Sequence, residues 1–238
     1  MAFIMKKEIH RAAGRGITKL NWLDSRHSFS FGSYHNPKRN GFGKLLVLND
    51  DIVEPGKGFG IHHHDNMEII SIVLDGALEH KDGMGNHGII RNGEIQRISA
   101  GSGITHSEYN HSSKERVNFL QIWIEPKEQD TKPSYEQRKF SMKNNELTEA
   151  ISPTKGKDTL HINQDARISI AKSGKGSRIS YKIAKKGNSA YLFVIDGRIT
   201  VDEEKLNARD AIGISGVSEF QIEPEISSEI LIIDIPLN

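Results

Sequence analysis

The 238-residue chain contains no cysteine, and this absence excludes several kinds of chemistry. Without cysteine there is no disulfide framework, no thiolate nucleophile and no sulfur ligand for a metal. Any metal site must therefore be built from nitrogen and oxygen donors. The chain also lacks an apolar run of roughly 20 residues, the length that a membrane-spanning helix needs.

An excess of charge of either sign is also missing. Lys and Arg total 32 and Asp and Glu total 31, so the net charge is +1 and no basic field favours nucleic acid as a direct partner. Only four apolar residues separate Met1 from the first lysine, whereas the apolar part of a secretory signal takes about 7 to 15 residues. We therefore expect a cytoplasmic protein without a membrane partner.

Strand signals dominate what is present. Short runs of β-branched and aromatic residues alternate with Gly, Asp and Asn, and no long segment shows the 3.6-residue period of an amphipathic helix. Many short strands predict an all-β sandwich or barrel. The strongest runs are residues 45–48, 68–74, 119–124, 191–195 and 230–235.

The sequence repeats itself once. Residues 72–78 read I-V-L-D-G-A-L and residues 193–199 read F-V-I-D-G-R-I, and residues 93–99 and 209–215 also resemble each other. We predict two similar β-domains, residues 1–140 and 141–238. The polar stretch 126–154 joins them, and its residues 135–140 are predicted to dock onto a domain.

Two pairs of ligand-capable residues share one spacing. His62 and His64 form the first pair, and His106 and Glu108 form the second. Residues i and i+2 of a strand point to the same face, so each pair projects two side chains from one face. If the two strands lie close in space, three imidazoles and one carboxylate converge on a site for a divalent first-row metal.

Other residues near these pairs are given structural roles. His63 points away from its neighbours on a strand, so it is predicted not to be a ligand. His80 is predicted to be solvated or to cap a turn, like His87. Trp22 and Trp123 are predicted to be core residues.

The C-terminal half lacks the ligands. His62 and His64 lie 13 and 11 positions before Asp75 of the first Asp-Gly pair. The residues at the same distances before Asp196 of the second pair are Ile183 and Lys185. We therefore predict that the second domain keeps the scaffold and binds no metal.

Longer motifs around these residues resemble a known family. The spacing of Gly56, His62, His64 and Glu68 resembles the first cupin motif, and residues 93–110 resemble the second. Ser-Ala-Gly replaces the usual Pro-x-Gly, two residues are added before the second-motif histidine, and a carboxylate follows two positions after it. With residues 22–31, 58–64, 74–82 and 100–108, these departures resemble the pirin family, strongly over residues 8–140 and weakly beyond.

The resemblance implies a bicupin, two antiparallel cupin-type β-barrels packed face to face. It also implies one metal, usually iron, held in the N-terminal barrel by His62, His64, His106 and Glu108. In this pattern Glu108 replaces Glu68 as the carboxylate ligand, so Glu68 is expected beside the ligands. Several pirins open the ring of flavonols such as quercetin with dioxygen, and a eukaryotic member acts as a nuclear co-regulator.

The donor set is consistent with such chemistry. Four protein ligands leave two of six metal positions open, and three neutral imidazoles with one carboxylate leave a charge of +1 on a divalent ion. That charge favours an anionic substrate oxygen. Glu108 has a second role open to it: if substrate displaces it from the metal, its carboxylate could accept the hydroxyl proton of that substrate as a general base.

We therefore predict a quercetin 2,3-dioxygenase-like enzyme acting on a flavonol-like substrate and dioxygen. The alternative is a non-catalytic, iron-binding, redox-sensing regulator that acts through a protein partner. A third reading is a bicupin whose metal only braces the fold. Iron(II) is the expected metal, although copper, nickel, zinc, cobalt or manganese could occupy the same ligands, because divalent affinity follows the Irving–Williams order.

Overall fold

The fold is described from a computed structural model covering residues 5–238; residues 1–4, part of the N-terminal segment discussed above, lie outside the described range. Over that range the chain forms 22 strands and one 3₁₀ helix, Ala12–Gly14, so the predicted all-β class is confirmed. No helix there has the length or apolar character to cross a membrane. The strands are β1 (Lys6–His10), β2 (Gly16–Lys19), β3 (Leu23–His27), β4 (Leu45–Val53), β5 (Gly58–His64), β6 (Glu68–Asp75), β7 (Ala77–Asp82), β8 (His87–Arg91), β9 (Glu94–Ser99), β10 (Ile104–Asn110), β11 (Val117–Ile124), β12 (Ser134–Lys139), β13 (Leu147–Ser152), β14 (Leu160–His161), β15 (Arg167–Ser173), β16 (Ile179–Lys182), β17 (Asn188–Asp196), β18 (Arg198–Val201), β19 (Glu204–Asn207), β20 (Ala211–Ser215), β21 (Glu219–Pro224) and β22 (Ser228–Pro236).

The described residues divide into two compact units. The N-terminal unit comprises residues 16–140 and 160–164, and the rest form the C-terminal unit. This division differs in two short segments from the sequence-based boundaries 1–140 and 141–238. Residues 5–15 join the C-terminal unit because β1 pairs with β20, and residues 160–164 join the other unit, where Gln164 donates a hydrogen bond to the Glu125 carbonyl.

Each unit is a sandwich of two sheets rather than a closed barrel. In the N-terminal unit a seven-stranded sheet runs β12-β9-β6-β11-β4-β3-β2 and a four-stranded sheet runs β5-β10-β7-β8. Apolar residues from both sheets form the core between them, with Val53 and Val73 from the large sheet against Leu78 and Ile90 from the small one. The cupin-type barrels that the resemblance implies are therefore two-sheet sandwiches here, because within residues 5–238 no pairing joins the edge strands of the two sheets.

The C-terminal unit repeats this topology. Its small sheet runs β16-β21-β18-β19, and six strands of its large sheet run β1-β20-β17-β22-β15-β13. Strand β1 occupies the place beside β20 that β12 occupies beside β9. The segments that resemble each other in sequence lie in equivalent strands: β6 corresponds to β17, and β9 corresponds to β20. The internal repeat read from the sequence is therefore confirmed as a structural repeat.

The five strongest apolar runs lie in β4, β6, β11, β17 and β22, which are internal strands of the two large sheets. All residues of β17 except the last are buried, and most residues of β22 are buried. A strand covered on both faces has no polar face, so its sequence reads as a continuous apolar run. Residues 135–140 also behave as predicted, since β12 pairs with β9 over six positions.

Candidate metal centre

Strand β10 carries the centre because it lies between β5 and β7 in the small sheet. His106 on β10 is directly opposite His62 on β5, in an antiparallel pair whose side chains share one face. On its other side, β10 places Glu108 opposite His80 and His106 opposite Asp82. The register with β5 shifts between positions 106 and 108, an irregularity of the kind that often aims side chains at sites.

Three imidazoles meet at this place, as the two strand pairs predict. The ring centroids of His62 and His106 are 4.4 Å apart, those of His62 and His64 are 4.8 Å apart, and those of His64 and His106 are 5.1 Å apart. One ring nitrogen from each of the three lies within 4.8 Å of the others. A single ion could therefore contact all three rings.

One ring nitrogen of His62 and one of His106 are available as ligands. His62 Nδ1 lies 2.8 Å from the Gly60 carbonyl, which can only accept, so Nδ1 carries the proton and Nε2 keeps its lone pair. The buried Nε2 of His106 has no hydrogen-bond partner. A buried polar atom without a partner is costly, and a bound cation would satisfy it.

Burial and mutual repulsion keep two of these rings neutral. Burial, followed by the neighbouring His106 and His62, lowers the pKa of His64 to about 4. Burial, followed by His62 and His80, lowers the pKa of His106 to about 3. Neutral imidazole is the form that binds metal, so at neutral pH these rings need not lose protons before binding.

Glu108 is buried beside His106 with both carboxylate oxygens engaged. Gln96 Nε2 lies 2.5 Å from Oε1, Ser71 Oγ lies 3.1 Å from Oε1, and Gln121 Nε2 lies 2.7 Å from Oε2. Its carboxylate belongs to a second group of close ligand atoms, with His80 and His106, rather than to the group of three histidines. The structure thus holds the carboxylate in one orientation next to the centre.

These residues fit a divalent ion. The donors are neutral imidazoles and a carboxylate, which suit borderline first-row metals, and a cation would give the buried Nε2 of His106 a partner. The residues around the ligands orient them in the manner of known metal sites, where ligand histidines and carboxylates are themselves hydrogen-bonded.

A cavity of about 590 Å³ opens on the centre. His62, His64 and Glu108 lie on its wall, so the centre faces space that could hold a molecule. Four aromatic side chains and several polar ones complete the lining. The aromatic ones are Trp22, Phe31, Phe59 and Trp123, and the polar ones include Thr18, Ser25, His27, Asn49, Asp51 and Gln121.

The cupin carboxylate Glu68 is not at the centre. It lies three positions before Ser71, which hydrogen-bonds Glu108, so an alternating strand points Glu68 to the opposite face. Its Oε2 instead accepts a hydrogen bond from Ser99, 2.9 Å away, and burial raises the pKa of Glu68 to about 7. Among the described residues it belongs to neither group of close ligand atoms.

One other role assigned from the sequence is wrong. His80 is fully buried rather than solvated, and its ring lies next to that of His106. Trp22 and Trp123 pack against the apolar core, as predicted, and they also line the cavity. The Trp123 ring contacts His64 with centroids 4.9 Å apart. The overlooked signal for His80 is its own spacing, because His80 and Asp82 repeat the i, i+2 pattern of the ligand pairs.

His63 is exposed, with its Nε2 3.7 Å from Asp65, as a residue on the opposite strand face should be. His87 is exposed, as predicted.

The corresponding space of the C-terminal unit is filled by apolar groups. Ile179 and Tyr181 of β16 and Phe220 and Ile222 of β21 belong to its core. The counted positions Ile183 and Lys185 lie just after β16 ends. Both groups of ligand atoms found in residues 5–238 lie in the N-terminal unit, and the absence of metal from the C-terminal unit stays a prediction.

Comparisons with known proteins extend over the whole chain. A family model described as Pirin matches residues 7–124, and one described as a quercetinase C-terminal cupin domain matches residues 150–235. A quercetin 2,3-dioxygenase of Escherichia coli is 39% identical over 229 residues, 96% of this chain and 98% of the relative.

Two further matches agree. A putative quercetin 2,3-dioxygenase of Mycobacterium bovis is 41% identical over 234 residues, which cover 94% of this chain and 93% of the relative. A crystal structure of a bacterial pirin from Escherichia coli in complex with nickel(II) matches with a TM-score of 0.93 at 38% identity, covering 97% of this chain and 99% of that one. The resemblance read from the motifs is thereby confirmed.

Proposed function

The chain belongs to the pirin family, and from this we propose that it is a metal-dependent dioxygenase that opens the ring of flavonols such as quercetin with dioxygen. The observation that carries the proposal is the cavity of about 590 Å³, which joins the metal-ligating side chains to aromatic walls. Cavities of roughly 300–1,000 Å³ accommodate molecules of this size. The full-length relatives named quercetin 2,3-dioxygenase support the reaction.

We propose His62, His64, His106 and Glu108 as the ligands of one divalent ion, with iron(II) as the working metal. The nickel(II) complex of the related pirin supports a divalent metal of this kind. When bound, such an ion supplies a Lewis acid for a substrate oxygen and a redox centre for dioxygen. The cavity wall that carries His62 and His64 leaves this side of the site accessible to substrate.

The aromatic walls suit a planar substrate. Trp22 and Phe59 meet edge to face with centroids 5.3 Å apart, and Phe31 and Trp123 do the same at 5.3 Å. Such packed rings present fixed apolar surfaces against which a flat polyphenol could stack and exclude water. Polar groups of the lining, including Asn49, could pair with the hydroxyl groups of the ring system.

Glu108 is proposed to take the proton of the substrate hydroxyl. Its carboxylate lies on the cavity wall, and the three donors around it leave one of its roughly four lone-pair positions. That position would accept the proton once substrate displaces the carboxylate from the metal. Because Gln96 and Gln121 fix the carboxylate from two sides, it would meet the hydroxyl without first reorienting. A deprotonated flavonol is the anionic form that a cationic centre favours.

The remaining parts of the proposal rest on the sequence. A cytoplasmic location, the absence of a direct nucleic-acid partner and a protein partner under the regulator alternative all stay predictions. The discriminating measurement is therefore catalysis itself.

The first prediction is that the metal-loaded protein consumes oxygen with quercetin. Metal-free protein would be loaded anaerobically with iron(II), and in parallel with copper, nickel, cobalt or manganese, and then mixed with a panel of flavonols. We expect one dioxygen consumed and one carbon monoxide released per flavonol, since cleavage places both oxygen atoms in the ester product. An oxygen electrode and carbon monoxide detection provide the readouts.

A flavone, which lacks the 3-hydroxyl that Glu108 would deprotonate, is the matched control and should consume no oxygen. If no metal supports oxygen uptake with any flavonol, the dioxygenase proposal fails. The redox-sensing regulator then becomes the leading hypothesis.

A further inference from the structure

A chain of buried polar side chains extends from His106 away from the cavity. His106 Nδ1 lies 3.4 Å from His80 Nδ1, and His80 Nε2 lies 3.1 Å from Asp82 Oδ2. The side chains of His80 and Asp82 are fully buried. We propose that His80 and Asp82 are positioning residues that fix the tautomer and orientation of the His106 ring.

The direction of each hydrogen bond follows from Asp82. An ionised carboxylate can only accept, so Nε2 of His80 carries the proton that it donates to Oδ2. A neutral imidazole has one N–H, so His80 Nδ1 is then an acceptor and His106 Nδ1 must be the donor. His106 therefore keeps its lone pair on Nε2, the buried nitrogen without a partner.

Further contacts hold the side chains of Asp82 and His80 in place. The Oδ1 atom of Asp82 accepts hydrogen bonds from the backbone N–H groups of Met84 and Asn86, both at 2.9 Å, in the turn that follows β7. The ring of His80 stacks on Tyr135 of β12 with centroids 4.6 Å apart and planes 12° from parallel. Neither side chain can reorient without breaking these contacts.

The consequence is a preorganised ligand. Histidine ligands in proteins commonly donate their second ring N–H to a partner, and losing that partner costs about 10- to 100-fold in metal affinity. Here the partner is a second histidine, itself oriented by a carboxylate, on the strand next to β10. The inference rests on the proposed metal ligation by His106.

Asp82→Asn tests the inference with almost no change in shape. The Oδ1 position faces the two backbone N–H donors of Met84 and Asn86, so the oxygen of the new amide must stay there. Its NH₂ group then faces the side-chain amide of Asn86, which can flip to accept from it, and His80 Nε2, which must become an acceptor. His80 Nδ1 becomes a donor, and His106 must move its own proton to Nε2, the ligand atom. Asparagine in place of an orienting aspartate inverts a histidine tautomer in the same way in serine proteases.

The second prediction follows from this inversion. In the metal-free wild-type protein, long-range ¹⁵N–¹H NMR should show His106 protonated on Nδ1, and in Asp82→Asn it should show the proton on Nε2. Competition titrations with nickel(II) should show affinity lower by about 10- to 100-fold in the variant. Asp75→Asn, the same change at an exposed turn of the same unit, should leave both readouts unchanged.

Asp82 also stabilises a turn, so Asp82→Asn could alter the fold. A second variant therefore tests the inference without changing Asp82. His80→Phe keeps a ring against Tyr135 and removes the acceptor, so it should release the Nδ1 preference of His106 and lower nickel affinity as well. Wild-type His106 protonated on Nε2, or Asp82→Asn with unchanged tautomer and affinity, overturns the inference. If the wild type binds no nickel, the ligand assignment fails instead, and a wild-type protein inactive on flavonols leaves the inference intact.

Discussion

At the scale of single residues, the i, i+2 spacing of ligand-capable side chains predicted more than any other feature. It identified His62, His64 and His106, which the structure brings together. It did not identify the donors around Glu108, because Gln96, Ser71 and Gln121 come from three other strands. Which side chains meet across strands depends on register, and one sequence does not reveal the register of long-range pairs.

The third prediction concerns Glu108. Glu108→Gln should lose more activity than metal, because an amide oxygen can still act as a ligand but an amide accepts no proton at neutral pH. Flavonol turnover per bound metal should fall by about 10²- to 10⁴-fold, the usual contribution of a general base. Elemental analysis and oxygen uptake on the same samples give this ratio.

Glu79→Gln is a matched control, since Glu79 lies on β7 outside the cavity and should keep its turnover per metal. If activity of Glu108→Gln falls only in step with metal content, Glu108 positions the ion and takes no proton.

At the scale of elements, the sequence predicted internal strands well and edge strands poorly. The apolar runs of β6 and β17 could be recognised in the sequence because both faces of these strands are covered. Strand β1 has the mixed sequence K-K-E-I-H and pairs with β20, about two hundred positions away. Its local sequence therefore does not predict a strand. Edge strands need no continuous apolar run, and they are therefore assigned by their partners rather than by their own composition.

The turn after the repeated strand explains why both copies of the internal repeat contain a glycine after the aspartate. Gly76 and Gly197 have φ angles of +76° and +91°, where a side chain is strained. A Cβ atom at Gly76 would lie 2.6 Å from the Arg116 carbonyl oxygen, and one at Gly197 would lie 2.4 Å from the Ser227 carbonyl oxygen. Both positions thus need glycine because another backbone segment approaches closely.

The fourth prediction is that Gly76→Ala destabilises the N-terminal unit by about 1–3 kcal/mol, since it adds a backbone clash to an unfavourable φ angle. Gly85→Ala isolates the φ effect, because Gly85 has a φ of +89° with no atom within 4 Å of the added Cβ. Its loss should be smaller, about 1 kcal/mol. Urea denaturation of metal-free proteins measures both, and equal losses would show that the close approach contributes nothing.

At the scale of the whole molecule, two units of one topology differ in what fills the space beside the small sheet. In the N-terminal unit the proposed ligands and a cavity lie there, and in the C-terminal unit Tyr181 and Phe220 belong to an apolar core. The repeat could be predicted from the sequence. The side chains of β16 that fill this space could not, because counting from the Asp-Gly turn reached Ile183 and Lys185, beyond the end of β16.

The fifth prediction is that the chain binds one metal and that binding stabilises the N-terminal unit. A ligand that binds only the folded state stabilises it by RT ln(1 + [L]/Kd), about 2.7 kcal/mol at a concentration 100 times Kd. Adding nickel(II) to metal-free protein should therefore slow amide exchange in β5 and β10, measured by mass spectrometry, with elemental analysis giving one ion per chain. His106→Ala should show near-background metal and no slowing, whereas Glu68→Gln should match the wild type because Glu68 faces away from the centre. Two ions per chain, or equal slowing in β16 and β21, would show that the apolar filling of the C-terminal unit does not exclude a metal, and would remove the physical reason for assigning the chemistry to one unit.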